Sequence, residues 1–139
     1  MGLEWREQLS VGNDLIDSDH KYLIEVINKA ELSLKAKDRA GLTLALDSLA
    51  RYSSTHFLRE EALATAVGYP KAEQLHVSHE LLQTKLQKAK ADIGEEWSDA
   101  AGESFGVFLR EWLVNHVIKE DMLMKPYLKK FSPRFDPRQ

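Results

Sequence analysis

Apolar residues recur at steps of three or four along four long segments of this 139-residue chain. In the second segment, Leu42, Leu46, Leu49, Leu63 and Val67 follow this spacing, which places them on one side of a helix. No segment alternates polar and apolar residues as a half-buried strand does. Short breaks separate segments of about twenty residues, a pattern typical of bundles. We therefore predict an all-α fold, an up-down-up-down antiparallel four-helix bundle.

Capping residues and helix breakers set the predicted bounds. Asp17 or Ser18 would cap the first helix, Asp38 the second and Ser98 the fourth, and Gly68 would end the second. We predict one domain over residues 1–139, with an N-terminal arm over 1–16, helices over about 17–37, 39–66, 71–93 and 98–122, and a tail over 123–139 that adds a short helical extension.

Histidines and a glutamate interrupt the apolar stripes. His56 and Glu60 are four residues apart, so a helix places both on its inward face. His20, His79 and His116 lie in line with the stripes of the other three helices. Each buried imidazole and carboxylate needs a partner, and convergence of several on one interior favours a metal site. Nitrogen and oxygen donors suit iron, zinc or manganese better than calcium.

The composition excludes several other classes of protein. The absence of cysteine excludes thiolate zinc sites, iron–sulfur clusters and cysteine nucleophiles, and it fits a reducing compartment. With 19 basic and 22 acidic residues, the net charge of −3 gives no footprint for nucleic acid. No apolar run reaches the ~18–20 residues that span a bilayer, and the first residues contain no apolar stretch of the kind found in signal peptides. We expect a cytoplasmic protein that binds neither nucleic acid nor membranes.

Several motifs together resemble one known family. They are VGNDLIDSDH at 11–20, HFLREE at 56–61, GYP at 68–70, SHELL at 78–82 and WLVNHVIKED at 112–121. In their order and spacing they are similar to the bacterial hemerythrins, or bacteriohemerythrins, which are non-haem di-iron proteins that bind O₂ within a four-helix bundle. The resemblance covers nearly the whole chain.

The resemblance implies a centre of two iron ions with oxo or hydroxo and carboxylate bridges. It assigns the residues as follows: His20 and His56 to one iron, His79 and His116 to the other, Glu60 and Asp121 as the bridging carboxylates, and Trp112 and Val117 beside the oxygen pocket.

The assignment of Asp121 meets a problem of helix phase. Asp121 follows His116 by five residues, about 140° round an ideal helix, whereas Glu120 at four residues is in better phase. The family match favours Asp121, which requires local unwinding of the helix or a long reach near its end.

One expected ligand is missing. The family has a histidine five residues after the proline of YP, and this chain has Leu75 there. His76 is about 100° further round the helix, so it could substitute only after a shift of register such as a π-bulge. We favour an exposed His76 that binds no metal. The loss of a histidine at position 75 would leave two histidines per iron and an open coordination position.

The functional expectation is an oxygen carrier, store or sensor whose partners are O₂ or small anions. One alternative is a di-iron oxidase or peroxidase-like enzyme that uses the position opened by Leu75. Another is a sensory bundle that binds zinc or no metal. The sequence identifies no protein partner.

Overall fold

The computed structural model describes residues 2–138, and none of these residues lies in a strand, which confirms the all-α class. Helix α1 packs against α2 and α4, and α2 packs against α3, as in the predicted four-helix bundle. The elements are a 3₁₀ turn over Glu7–Leu9, α1 over Asp14–Ala36, α2 over Arg39–Ala66, α3 over Ala72–Asp92, α4 over Asp99–Glu111, a π-helical segment over Trp112–Ile118, α5 over Lys119–Met122 and α6 over Lys125–Leu128.

Helix α1 begins earlier than predicted, and its cap is a different residue. The side chain of Asn13 accepts hydrogen bonds from the backbone N–H groups of Leu15 and Ile16, which are otherwise unpaired at a helix start. Asp17 instead accepts a bond from the backbone N–H of Val11. The prediction that Asp17 or Ser18 caps this helix is therefore wrong.

The other capping predictions are confirmed. Asp38 accepts a bond from the N–H of Gly41, and Ser98 accepts one from the N–H of Ala101. Helix α2 is followed by Gly68 with φ of +75°, the left-handed conformation that glycine adopts without steric cost.

The last long helix is not α-helical throughout. Over Trp112–Ile118 it is a π-helix, in which backbone hydrogen bonds join residues five apart. Inward positions therefore recur after five residues, and Trp112 and Val117 are both buried while His116 is exposed. Asp121, one α-helical turn after Val117, is fully buried. The predicted continuous helix over 98–122 is thus interrupted, and the interruption turns Asp121 inward.

The interior contains two apolar clusters, and a layer of polar side chains separates them. In α1, His20 lies between Ile16 of the smaller cluster and Leu23 of the larger one. The same order is found for His79 between Leu75 and Leu82, for Glu60 between Leu63 and Phe57, and for Asp121 between Met124 and Ile118. All four polar side chains are at most 2% exposed.

The chain ends pack against the bundle. Trp5 lies against the larger apolar cluster, and the backbone N–H of Leu3 donates to the side chain of Asn28. The side chain of Asn13 donates to the carbonyl of Phe135, which ties the tail to the start of α1. Over residues 2–138, no helix is both long and apolar enough to cross a bilayer.

Candidate metal centre

Four buried side chains bring their donor atoms within 4.8 Å of one another: His20, His56, Glu60 and Asp121. They come from three elements, α1, α2 and α5. His20 Nε2 lies 2.7 Å from Asp121 Oδ2, and His56 Nε2 lies 2.9 Å from Glu60 Oε1. All four are fully buried.

The sequence explains why these side chains meet. His56 and Glu60 project from the same face of α2 because they are one helical turn apart. Asp121 joins them because the π-helical segment changes the phase of the last helix before α5 begins. The segment unwinds the helix locally, but it leaves Asp121 buried and His116 exposed, so these two residues do not share an inward face as their assignment as ligands expected.

His79 lies beside this group. Its Nε2 is 3.5 Å from Glu60 Oε1, and its side chain is 2% exposed. The imidazole stacks on the ring of Phe57, with ring centroids 4.0 Å apart and planes inclined by 11°. Stacking fixes the plane of the ring, so that Nε2 points toward the carboxylates.

Asp19 orients His56 from the opposite side of the ring. His56 Nδ1 donates to Asp19 Oδ2 over 2.8 Å, and the same carboxylate accepts from the hydroxyl of Tyr52 and from Arg59. Because a protonated Nδ1 leaves Nε2 with its lone pair, this bond prepares His56 Nε2 to act as a metal ligand.

Glu61 has the same relation to His79. His79 Nδ1 donates to Glu61 Oε2 over 2.9 Å, and the other oxygen of Glu61 accepts from His76 Nδ1. This hydrogen bond again leaves Nε2 facing the buried group. Most metal-bound histidines donate their second ring N–H to a carboxylate or carbonyl in the same way.

Buried donor atoms without a hydrogen-bond partner indicate that these residues fit a metal ion. Within residues 2–138 they include His56 Nε2, His79 Nε2, Asp121 Oδ1 and both carboxylate oxygens of Glu60. His56 Nε2 and Glu60 Oε1 are close together, but their geometry is not that of a hydrogen bond. Unpaired buried polar atoms are costly, and a cation among them would satisfy several at once.

The electrostatics describe a site that attracts positive charge. Burial lowers the pKa of His56, but the negative charge of Glu60 and contacts with Asp121 and Asp19 outweigh it and raise that pKa well above its usual range. Burial also lowers the pKa of His79, but the contact with Glu60 outweighs it, so that the pKa of His79 is raised as well. Burial and the neighbouring charge of Asp121 raise the pKa of Glu60. Protons and metal ions would compete for these atoms.

Other residues selected from the sequence lie outside the buried group. His116 is exposed. The side chain of His76 is 53% exposed, with Nδ1 on Glu61 and Nε2 on Glu80 at 2.6 Å. Leu75 is buried and packs in the smaller apolar cluster.

Trp112 and Val117, the predicted neighbours of an oxygen pocket, are both 1% exposed and belong to the larger apolar cluster. Trp112 Nε1 donates to the carbonyl of Leu82 over 2.9 Å. Their role beside a bound gas stays a prediction.

Sequence reasoning missed two carboxylates that contact predicted ligands, Asp19 and Glu61. Each is next in sequence to a predicted ligand, His20 or Glu60, and therefore lies outside the inward stripe by helix phase. The available signal was that a buried ligating imidazole needs an acceptor on its second nitrogen. Asp19 and Glu61 are 37 and 18 residues from the histidines that they contact, so the sequence alone does not identify them as those acceptors.

Comparison with known proteins decides the family. The family model described as "Hemerythrin HHE cation binding domain" matches residues 11–128, most of the chain. The chain belongs to the hemerythrin family. This confirms the resemblance drawn from the motifs.

Relatives within the hemerythrin family support the same conclusion. Bacteriohemerythrin of Stenotrophomonas maltophilia is 28% identical over 136 residues, which cover 94% of this chain and 86% of that protein. Bacteriohemerythrin of Pseudomonas aeruginosa is 28% identical over 121 residues, covering 86% and 76%. The crystal structure of a hemerythrin point mutant aligns with a TM-score of 0.76 at 25% identity, covering 91% of this chain and 96% of that one.

Proposed function

We propose that this hemerythrin-family protein binds non-haem iron in the polar layer between its two apolar clusters and uses the iron to bind O₂, as a carrier, store or sensor. The observation that carries the proposal is the fully buried group of His20, His56, Glu60 and Asp121, in which His56 Nε2, Asp121 Oδ1 and both carboxylate oxygens of Glu60 have no hydrogen-bond partner. Such a group is costly to bury without a cation.

The proposed centre contains two iron ions. His20 and His56 would hold one iron and His79 the other, together with His116 if its side chain turns inward, while Glu60 and Asp121 would bridge them. When bound in its reduced form, the iron supplies the electrons that O₂ binding requires.

The chain's own residues provide the surroundings. Asp19 and Glu61 hold the imidazoles of His56 and His79 in the ligating orientation. Phe57 and Trp112 close the larger apolar cluster over the centre and exclude water from it. A dry site of this kind limits loss of a reduced oxygen species by protonation. Small anions are the other expected ligands, and the cytoplasmic location stays a prediction.

A di-iron oxidase or peroxidase-like enzyme is the second candidate. It is favoured by the burial of Leu75 in an apolar cluster and the exposure of His116, which leave the His79 side with fewer nitrogen donors. Fewer protein donors leave more room for an exogenous ligand or substrate on a metal ion.

Oxygen titration of the reconstituted protein tests the proposal. Protein loaded with Fe(II) under anaerobic conditions is exposed to O₂ and then evacuated, and its visible spectrum is followed. A spectral change that reverses on evacuation supports O₂ binding. Irreversible oxidation with catalytic decomposition of added peroxide supports the enzyme. A colourless protein that retains zinc in preference to iron contradicts both.

A further inference from the structure

A chain of hydrogen bonds joins His79 to the protein surface. Oε2 of Glu61 accepts from His79 Nδ1 over 2.9 Å, and Oε1 of the same carboxylate accepts from Nδ1 of His76. The side chain of His79 is 2% exposed, that of Glu61 is 22% exposed and that of His76 is 53% exposed. One carboxylate on α2 therefore connects a buried proposed ligand with an imidazole at the surface.

His76 is a cation in this arrangement. Its Nε2 lies 2.6 Å from Oε1 of Glu80, one turn further along α3. Ionised carboxylates only accept hydrogen bonds, so an unprotonated ring nitrogen would direct its lone pair against theirs. Both ring nitrogens of His76 therefore carry protons. The hydrogen bond to Glu61, together with the charges of Glu61 and Glu80, raises the pKa of His76.

The carboxylate that contacts His56 is held by a different kind of cation. Asp19 accepts from His56 Nδ1 and also from the guanidinium of Arg59. Arginine keeps its charge in proteins, whereas an imidazole can lose its proton near neutral pH. His76 has the place beside Glu61 that Arg59 has beside Asp19. One of the two carboxylates is thus fixed by a permanent cation and the other by a titratable one.

We propose that His76 is a positioning residue for the metal centre: while it is protonated, it holds Glu61 in the orientation that accepts from His79. This inference rests on the proposed function, because His79 is a proposed ligand. The charged groups that face His76 are Glu61 from α2 and Glu80 on its own helix. Loss of one proton leaves His76 with a single N–H for two carboxylates, so Glu61 regains freedom to turn toward water.

Hydrogen exchange of ring N–H groups in Zn²⁺-loaded protein tests this role. With Zn²⁺ on Nε2 of His79 and His56, the proton on Nδ1 of each ring exchanges with water when its bond to the carboxylate opens. Proton NMR of protein with ¹⁵N-labelled histidine measures the two rates, and their ratio cancels the direct effect of pH on exchange. The variant is His76→Ala, and its control is Gln74→Ala, at an exposed residue of the same helix.

The ratio of the His79 rate to the His56 rate should be at least about tenfold higher in His76→Ala than in the unmodified protein. Gln74→Ala should leave the ratio unchanged. In the unmodified protein the ratio should rise as the pH increases through the pKa of His76, and in His76→Ala it should stay constant. This pH dependence separates the proposed role from a general loosening of α3.

Two results would exclude a positioning role for His76 and leave the metal centre intact. One is an equal ratio in His76→Ala and the unmodified protein, and the other is a ratio in the unmodified protein that does not respond to pH. A protein that binds no Zn²⁺ would contradict the proposed metal site itself, and the role of His76 with it.

Discussion

At the scale of single residues, the centre depends on which nitrogen of each histidine faces inward. Asp19 and Glu61 decide this by accepting bonds from Nδ1 of His56 and His79. Burial alone would raise the pKa of Asp19, but the bonds from His56 and Arg59 lower it, so the carboxylate stays ionised and keeps accepting. Neither carboxylate belongs to the group that would hold the metal.

Replacing Glu61 with glutamine should lower the metal affinity of the position served by His79. The amide has a donor group where the carboxylate has only acceptors, so the bond to His79 Nδ1 is weakened or the ring reorients. We expect a loss of about 10- to 100-fold in affinity, measured by calorimetry, with little change in stability of the metal-free fold. Glu73→Gln, at an exposed glutamate of α3, is the control. Equal affinities in the two variants would exclude an orienting role for Glu61.

His76→Ala separates the two interpretations of His76. The structure places this side chain on the surface, bound to Glu61 and Glu80, so the variant should retain the metal content of the unmodified protein. If His76 were the substitute for the histidine absent at position 75, its removal would cost one metal ion. Elemental analysis of protein purified without chelator measures the difference.

At the scale of the elements, the helices and their inward stripes were predictable, whereas the π-helical segment was not. Four segments of regular period predicted α1 to α4 because the apolar face of a helix has to be buried. The position of His116 could not be predicted from an α-helical period, since one additional residue per turn over Trp112–Ile118 turns it outward. Trp112 and Val117 are both buried although they are five residues apart, a spacing that an α-helical period does not predict.

The cap of α1 was also missed, because it depends on contact with the far end of the chain. Asn13 caps the helix and also donates to the carbonyl of Phe135, a contact that local sequence does not reveal. Within the site, the apolar stripes and helical spacing were sufficient to place four residues: His20, His56, Glu60 and His79. Asp121 needed the family motif as well.

Asn13→Ala should destabilise the fold by about 2 kcal/mol, because the cap and the partly buried hydrogen bond to the carbonyl of Phe135 are lost together. Ser98→Ala removes an exposed cap that bonds only Ala101 and should cost about 1 kcal/mol or less. Urea unfolding at constant metal content gives both free energies. Equal losses in the two variants would show that the attachment of the tail contributes nothing.

At the scale of the whole molecule, we expect the polar layer to make the free energy of unfolding depend on bound metal and on pH. The pKa values of His56 and His79 are raised in the fold, so metal-free protein binds protons there more tightly than the unfolded chain does. The tighter proton binding adds to the free energy of unfolding. This contribution is fully present below the ordinary histidine pKa of about 6.5, and it is lost as the pH rises through the raised pKa values. The depressed pKa of Asp121 acts only in the acid range and does not offset this loss.

We therefore expect the free energy of unfolding of metal-free protein to fall as the pH rises above about 6.5. Metal-loaded protein should not show the same loss, because ligation requires deprotonated imidazoles and becomes tighter as protons leave. Urea unfolding across this range, with and without bound metal, measures both curves. Metal-free protein that becomes more stable as the pH rises would contradict the raised histidine pKa values.

The most direct test of the central claim is the iron content of protein purified from iron-supplemented growth without chelator. The proposed di-iron centre predicts about two irons per chain, and fewer in Glu60→Ala, which removes a carboxylate from the buried donor group. Glu25→Ala, at an exposed glutamate of α1, should retain the full amount. Unmodified protein that contains no iron, or Glu60→Ala protein that keeps all of it, would contradict the claim that this layer is an iron site.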